Sequence, residues 1–171
     1  TAIALRDAGA NVSLFDLNEE LGAQRVEELG KNNTLFTKVD VRDETSVQAA
    51  IDATTERFGA ISLVVNCAGI APAKRLLDKE GNPAPLGDFQ KTIDINLVGS
   101  FNVSRLVAAT MAKQSPINEE GERGLIVNTA SVAGYEGQIG QTAYAASKGG
   151  IIGLTLPTVS YTHLRAHETR S

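Results

Sequence analysis

The stretch "ASVAGYEGQIGQTAYAASKGG", residues 130–150, carries a hydroxyl at Ser131, a phenol at Tyr144 and an amine at Lys148, spaced thirteen and four residues apart. Residues four apart on a helix share a face, so the phenol and the ammonium present to one spot. A free tyrosine ionises at about pH 10 and is a poor base at neutrality; a cation beside it favours the phenolate. Lowering such a pKa by about 3 units corresponds to about 4 kcal/mol of differential stabilisation. The chemistry implied is proton transfer to and from an alcohol or carbonyl oxygen, with the Ser131 hydroxyl holding that oxygen. A Tyr-x-x-x-Lys pair alone is commonplace on protein surfaces, and the specificity lies in the three-residue combination. The small neighbours Ala145, Ala146, Ser147, Gly149 and Gly150 permit close approach of a ligand or of another helix.

Positioning these groups is the task of the elements around them. The hydrophobic period switches between helix and strand along the chain. Helical spacing over 1–10 gives way to a strand in "NVSLF", a helix over 18–29, a strand in "TLFTKVD" and a helix over 43–59. A strand in "ISLVVN", a polar loop over 72–87 and a long helical pattern over 88–113 follow. The strand "GLIVNTAS" and a helix over 142–156 complete the series. Apolar strands alternating with helices predict an α/β fold, a doubly wound parallel sheet covered by helices on both faces. Ligands of such sheets bind outside the carboxyl ends of the strands, where Ser131 falls.

Composition narrows the function class. The 171 residues carry a net charge of −4, so no basic field is available for a nucleic acid or an anionic membrane surface. No apolar run approaches the roughly 20 residues that span a bilayer. The single Cys67 makes no intrachain disulfide, which fits a reducing compartment.

Beyond Pro157 the pattern ends. "VSYTHLRAHETRS" has no apolar stripe and is similar to a peptide produced when sequencing-adapter DNA is translated. Residues 158–171 are therefore expected to be non-native. His163 and His167 lie four apart but lack the Glu that follows the first His in helical zinc motifs, so no metal is expected there.

"NCAG", spanning Asn66, Cys67, Ala68 and Gly69, resembles the Asn-Asn-Ala-Gly motif of the short-chain dehydrogenase/reductase family, with Cys67 in place of the second Asn. "DINLVGSF" supplies Asn96, which matches the helix Asn of that family's catalytic tetrad; Ser131, Tyr144 and Lys148 match the other members. The resemblance covers residues 1–157, an incomplete Rossmann-like dinucleotide-binding domain. It implies that Tyr144 is the acid/base, that Lys148 binds the nicotinamide ribose and lowers the tyrosine pKa, and that Ser131 orients the substrate oxygen. Asn96 maintains a water-linked proton path to the lysine. Tyr144 and Lys148 thus also contact the cofactor.

The resemblance gives further residues a role. Asp16, after "NVSLF", either caps the next helix in a box with Glu19 or accepts both adenosine-ribose hydroxyls. In the second role it repels a 2′-phosphate and selects NAD. Asp40 and Val41 match a pair placed around the adenine; Asp40 alternatively starts a helix. Asn66–Gly69 packs its backbone against the cofactor, ends a strand, or does both. Gln138 is a candidate substrate contact. The insertion "KRLLDKEGNPAPLGDF" looks like that of the branch acting on acyl-CoA substrates, which implies interconversion of a 3-hydroxyacyl-CoA, or a similar secondary alcohol, and its 3-oxo form. Alternatives on the same fold are a 3-oxoacyl carrier-protein reductase, a hydroxysteroid dehydrogenase and a non-catalytic dinucleotide-binding protein. The family pattern further implies a homotetramer formed through the helices over 88–113 and 142–156, in the cytoplasm or, in a eukaryote, the mitochondrial matrix. The chain starts inside a helical pattern, without Met. The family's glycine-rich pyrophosphate turn and first strand are expected before Thr1, so the 171 residues by themselves are expected neither to fold cooperatively nor to bind NAD.

Overall fold

The computed structural model describes residues 1–159 and the backbone of residues 165–169. The chain forms two compact units, Thr1–Ile61 and Ser62–Ser171. In the first, α1 (Ala2–Asp7), β1 (Val12–Asp16), α2 (Glu19–Leu29), β2 (Thr34–Lys38) and α3 (Glu44–Phe58) alternate. β1 and β2 pair in parallel, with Val12 opposite Thr34 and Asp16 opposite Lys38. Asn18 starts α2 by accepting the Leu21 N–H at 2.9 Å. Asp43 starts α3 by accepting from the N–H groups of Thr45 and Ser46. Gly59, at φ +87°, ends α3 in a conformation that favours glycine. Val47, Ala50 and Ile51 of α3 are fully buried and anchor the unit's core.

These caps correct two of the alternatives. Asp16 does not cap α2: it is still paired in the β1 ladder, and its Oδ1 accepts the N–H of Asn18, the residue that does cap. Asp40 does not start α3, because Asp43 holds that position.

The second unit contains β3 (Leu63–Asn66), α4 (Leu86–Ile93), α5 (Gly99–Met111), β4 (Leu125–Thr129), α6 (Thr142–Val159) and β5 (Arg165–Thr169). Its strands are parallel in the order β3-β4-β5. Val103, Val107 and Met111 of α5, Ile126 of β4 and Ile151 of α6 are buried in its core. Parallel strands alternating with helices are the α/β arrangement expected of a doubly wound fold. Several boundaries differ from the reading of the sequence, among them those around the site. The pattern over 88–113 is one unbroken run of helical backbone, from Leu86 to Met111, but it holds a π-helical turn, Asp94–Val98, between α4 and α5. α6 continues past Leu156, through Pro157 to Val159. Ser131 lies two residues beyond the end of β4, not in it. Of the segment expected to be non-native, residues 160–164, His163 included, and 170–171 lie outside the described residues. Among the described residues, no helix is long and apolar enough to cross a membrane.

Candidate active site

β4 leads directly into the site. After Thr129 and the buried Ala130 the chain stays extended at Ser131, with φ −157° and ψ 153°. The Ser131 Oγ accepts the Ala133 N–H at 3.2 Å and so caps a short 3₁₀ turn, Val132–Gly134. Ser131 is 6% exposed, and that bond leaves its hydroxyl proton to donate.

The turn is pressed against α6. A Cβ on Gly134 would lie 2.9 Å from both Lys148 C and Gly149 N, distances at which atoms cannot coexist. A Cβ on Gly149 would be in ordinary contact with Gly134 O, at 3.4 Å, and one on Gly150 would fall 2.6 Å from Cδ2 at the end of the Leu97 side chain, which would have to move. The run of small residues around the tyrosine and lysine thus lets the Ser131 turn and the π-helical segment approach α6. On α6 the Lys148 Nζ is 5.7 Å from the centroid of the Tyr144 ring and donates to the Thr129 carbonyl oxygen. Lys148 is 7% exposed, and this burial pushes its pKa below the usual lysine value; the nearby Cys67 acts in the opposite sense.

Asn96 sits in the π-helical turn, a local distortion frequent at functional sites. Its amide clamps the backbone of Ile70, accepting the N–H at 2.8 Å and donating to the carbonyl at 2.9 Å. It also donates to the Ser147 hydroxyl at 3.0 Å. Asn96 therefore holds the segment that follows β3, and Gly69 lies so close that a Cβ there would be 3.2 Å from Asn96 Oδ1. Cys67, Ala68 and Gly69 are exposed along that segment. The Thr129 hydroxyl donates to the Cys67 sulfur at 3.6 Å. Asn66 points inward instead, and its Nδ2 donates to Ser104 Oγ at 3.0 Å and to Asn128 Oδ1 at 2.9 Å. Its side chain is a strand-end support whose amide protons are already spent.

Sequence reasoning missed Asn128, Ser104, Thr129 and Ser147. The available signal was a polar residue at a buried position of an otherwise apolar element, as Asn128 is in "LIVNT", since such a group must find a partner.

The remaining candidates are less closely gathered. Gln138 is exposed, and no hydrogen bond among the described residues joins its side chain to Ser131, Tyr144 or Lys148. In the first unit Asp16 ends β1, exposed, with Oδ1 held by Asn18 N and Oδ2 without a hydrogen-bond partner among the described residues. Lys38, its ladder neighbour, is paired with Glu19 at 3.1 Å. Both Asp40 oxygens are engaged by Arg42, which holds that carboxyl below the usual carboxylate range. Val41 lies beside it, half-buried.

Residues 1–160 match the family described as short chain dehydrogenase. The chain is 48% identical to human 3-hydroxyacyl-CoA dehydrogenase type-2 over 158 residues, covering 92% of this chain and 60% of that protein. It is 36% identical to ipsdienol dehydrogenase of Ips pini over 158 residues, 91% of this chain and 60% of the relative. The crystal structure of 3-hydroxyacyl-CoA dehydrogenase type-2 from Mycobacterium avium is similar with a TM-score of 0.90 at 45% identity, covering 96% of this chain and 65% of that one. The chain thus spans about three fifths of the length of the curated relatives it matches.

Proposed function

Because the chain belongs to the short-chain dehydrogenase family, we propose that it carries the catalytic residues of an NAD-dependent oxidoreductase that interconverts a 3-hydroxyacyl-CoA, or a similar secondary alcohol, and its 3-oxo form. The observation that carries the proposal is the Tyr144–Lys148 pair on α6, with the Ser131 turn seated on the same helix through Gly134 and Gly149.

The donor set fits a nicotinamide dinucleotide. An ammonium has three N–H donors, and Lys148 spends one on Thr129, so the others remain for ribose hydroxyls. Asp16 keeps one carboxylate oxygen for adenosine-ribose hydroxyls, and its negative charge disfavours a 2′-phosphate. Cys67, Ala68 and Gly69 are small and exposed, which lets a cofactor approach closely. The adenine role of Asp40 and Val41 then rests on Val41, since Arg42 already occupies the carboxylate. A bound NAD would supply the hydride acceptor for the carbinol carbon.

The protein's own residues handle the proton. Ser131 donates its free hydroxyl hydrogen to the substrate oxygen. The Tyr144 oxygen takes the alcohol proton in oxidation and returns it in reduction. Lys148, held by the Thr129 carbonyl, keeps a positive charge beside the phenol. Asn96 secures the segment after β3 relative to α6. Gln138 is a substrate contact on the rim, and the exposed Val98 of the π-helical turn, Phe101 of α5 and Leu156 of α6 suit a homotetramer built through these helices.

Tyr144→Phe in the full-length protein tests the reading. The expected result is a loss of turnover of at least about a hundredfold, with NAD binding retained in a fluorescence titration. An unchanged rate removes the phenol from the mechanism. Higher activity with NADPH than with NADH overturns the cofactor assignment.

A further inference from the structure

Ser147 lies between Tyr144 and Lys148 in the chain and is 0% exposed. Its hydroxyl has a bond on each side. It donates to the Tyr144 carbonyl at 2.7 Å and accepts from Asn96 Nδ2 at 3.0 Å. Asn96 is itself 1% exposed and has no donor to spare, because a side-chain amide has two N–H groups and the second goes to Ile70 O. A serine that only bonded back to its own helix would be a local matter. Here the direction is imposed from 51 residues away in the chain. With Asn96 arriving as a donor, the rotatable hydroxyl must send its own proton elsewhere, and the Tyr144 carbonyl receives it.

The result is one continuous connection through buried groups. It runs from the Ile70 backbone, which adjoins Gly69, through the Asn96 amide and the Ser147 hydroxyl to the backbone of Tyr144. We infer that Ser147 is a positioning residue for the proton-transfer step, fixing the backbone of the catalytic tyrosine against the segment that follows β3. The inference rests on the role proposed above for Tyr144. Ser147 touches no reacting atom and acts through Asn96 and Tyr144.

The test uses the full-length protein with Ser147→Ala, Ser147→Cys and Tyr144→Phe. Alanine removes both hydrogen bonds; cysteine is somewhat larger and weakens both, so the two variants perturb packing in opposite senses while both losing the bonds, and whichever folds carries the test. The readouts are kcat, KM, melting temperature and the pH profile of alcohol oxidation. Both Ser147 variants are expected to lose about tenfold in kcat with KM little changed. The midpoint of the rising limb of the pH profile is expected to move to higher pH, because a displaced phenolate loses part of the stabilisation it draws from the Lys148 ammonium. A folded Ser147 variant with wild-type kcat and an unmoved midpoint overturns the inference, as does a rate loss that only tracks the unfolded fraction. Tyr144→Phe separates the two claims. If it is inactive while the Ser147 variants are normal, only the inference fails; if it is fully active, the reading of the site fails too.

Discussion

Lys148 is costly to bury and is buried nonetheless, 7% exposed with its ammonium against the Thr129 carbonyl. Its pKa in the folded protein lies below the ordinary 10.5, chiefly through desolvation. Between that lowered value and 10.5 the unfolded chain binds more protons than the folded one, so stability must rise with pH in that window. Below the window the full cost of the buried charge applies; above it the cost has gone. Urea midpoints of the full-length protein should therefore climb through the alkaline range relative to those of Lys148→Met, in which this group is absent. Parallel curves would contradict the assignment. Asp16 supports a second prediction at this scale. Removing its charge in Asp16→Ser should raise the NADPH-to-NADH activity ratio by about tenfold, the effect of about 1.4 kcal/mol of repulsion. An unchanged ratio would take Asp16 out of cofactor choice.

The 3₁₀ turn and α6 form a contact between backbones, and Gly134 is the residue that allows it. A Cβ there would meet Lys148 C and Gly149 N at 2.9 Å and Ile152 Cδ1 at 2.7 Å. The side-chain atom can swing aside, but the helix backbone cannot. Gly134→Ala should therefore cost about 1–3 kcal/mol of stability and lower kcat, since the turn that carries Ser131 must back away from Tyr144. Denaturant unfolding and steady-state rates check both halves; a variant as stable and as active as the parent would refute the close-packing argument. The alternation of helix and strand was legible in the sequence because periods of about 3.6 and 2 leave different patterns. The π-helical turn was not. It adds to a helix without breaking the apolar stripe over 88–113, and it places Asn96 where it bonds Ile70 and Ser147, partners remote in the chain.

The two units each hold their own parallel sheet. Among the described residues, β1 pairs with β2 alone and β3 with β4 alone, so each sheet has an edge strand with unpaired backbone groups. Such edges favour association over cooperative folding. We predict that the 171 residues by themselves give no single sharp endotherm and no micromolar NAD binding. Calorimetry and titration on that chain test this, and a sharp two-state transition with micromolar NAD binding would overturn it.

The sequence by itself determined the α/β class and set Tyr144 and Lys148 on one helix face, because backbone period and the i, i+4 relation are local properties, while Ser131 and Asn96 joined them through the motifs that resemble the family. It did not determine how those residues are held. Whether Asp16 or Asn18 caps α2 depends on where the β1 ladder stops. That Asn66 turns inward to Ser104 and Asn128, and that Asn96 reaches Ser147, depends on partners 38, 62 and 51 residues away. A buried amide must bond to whatever the packing sets beside it, and only the tertiary structure decides what that is.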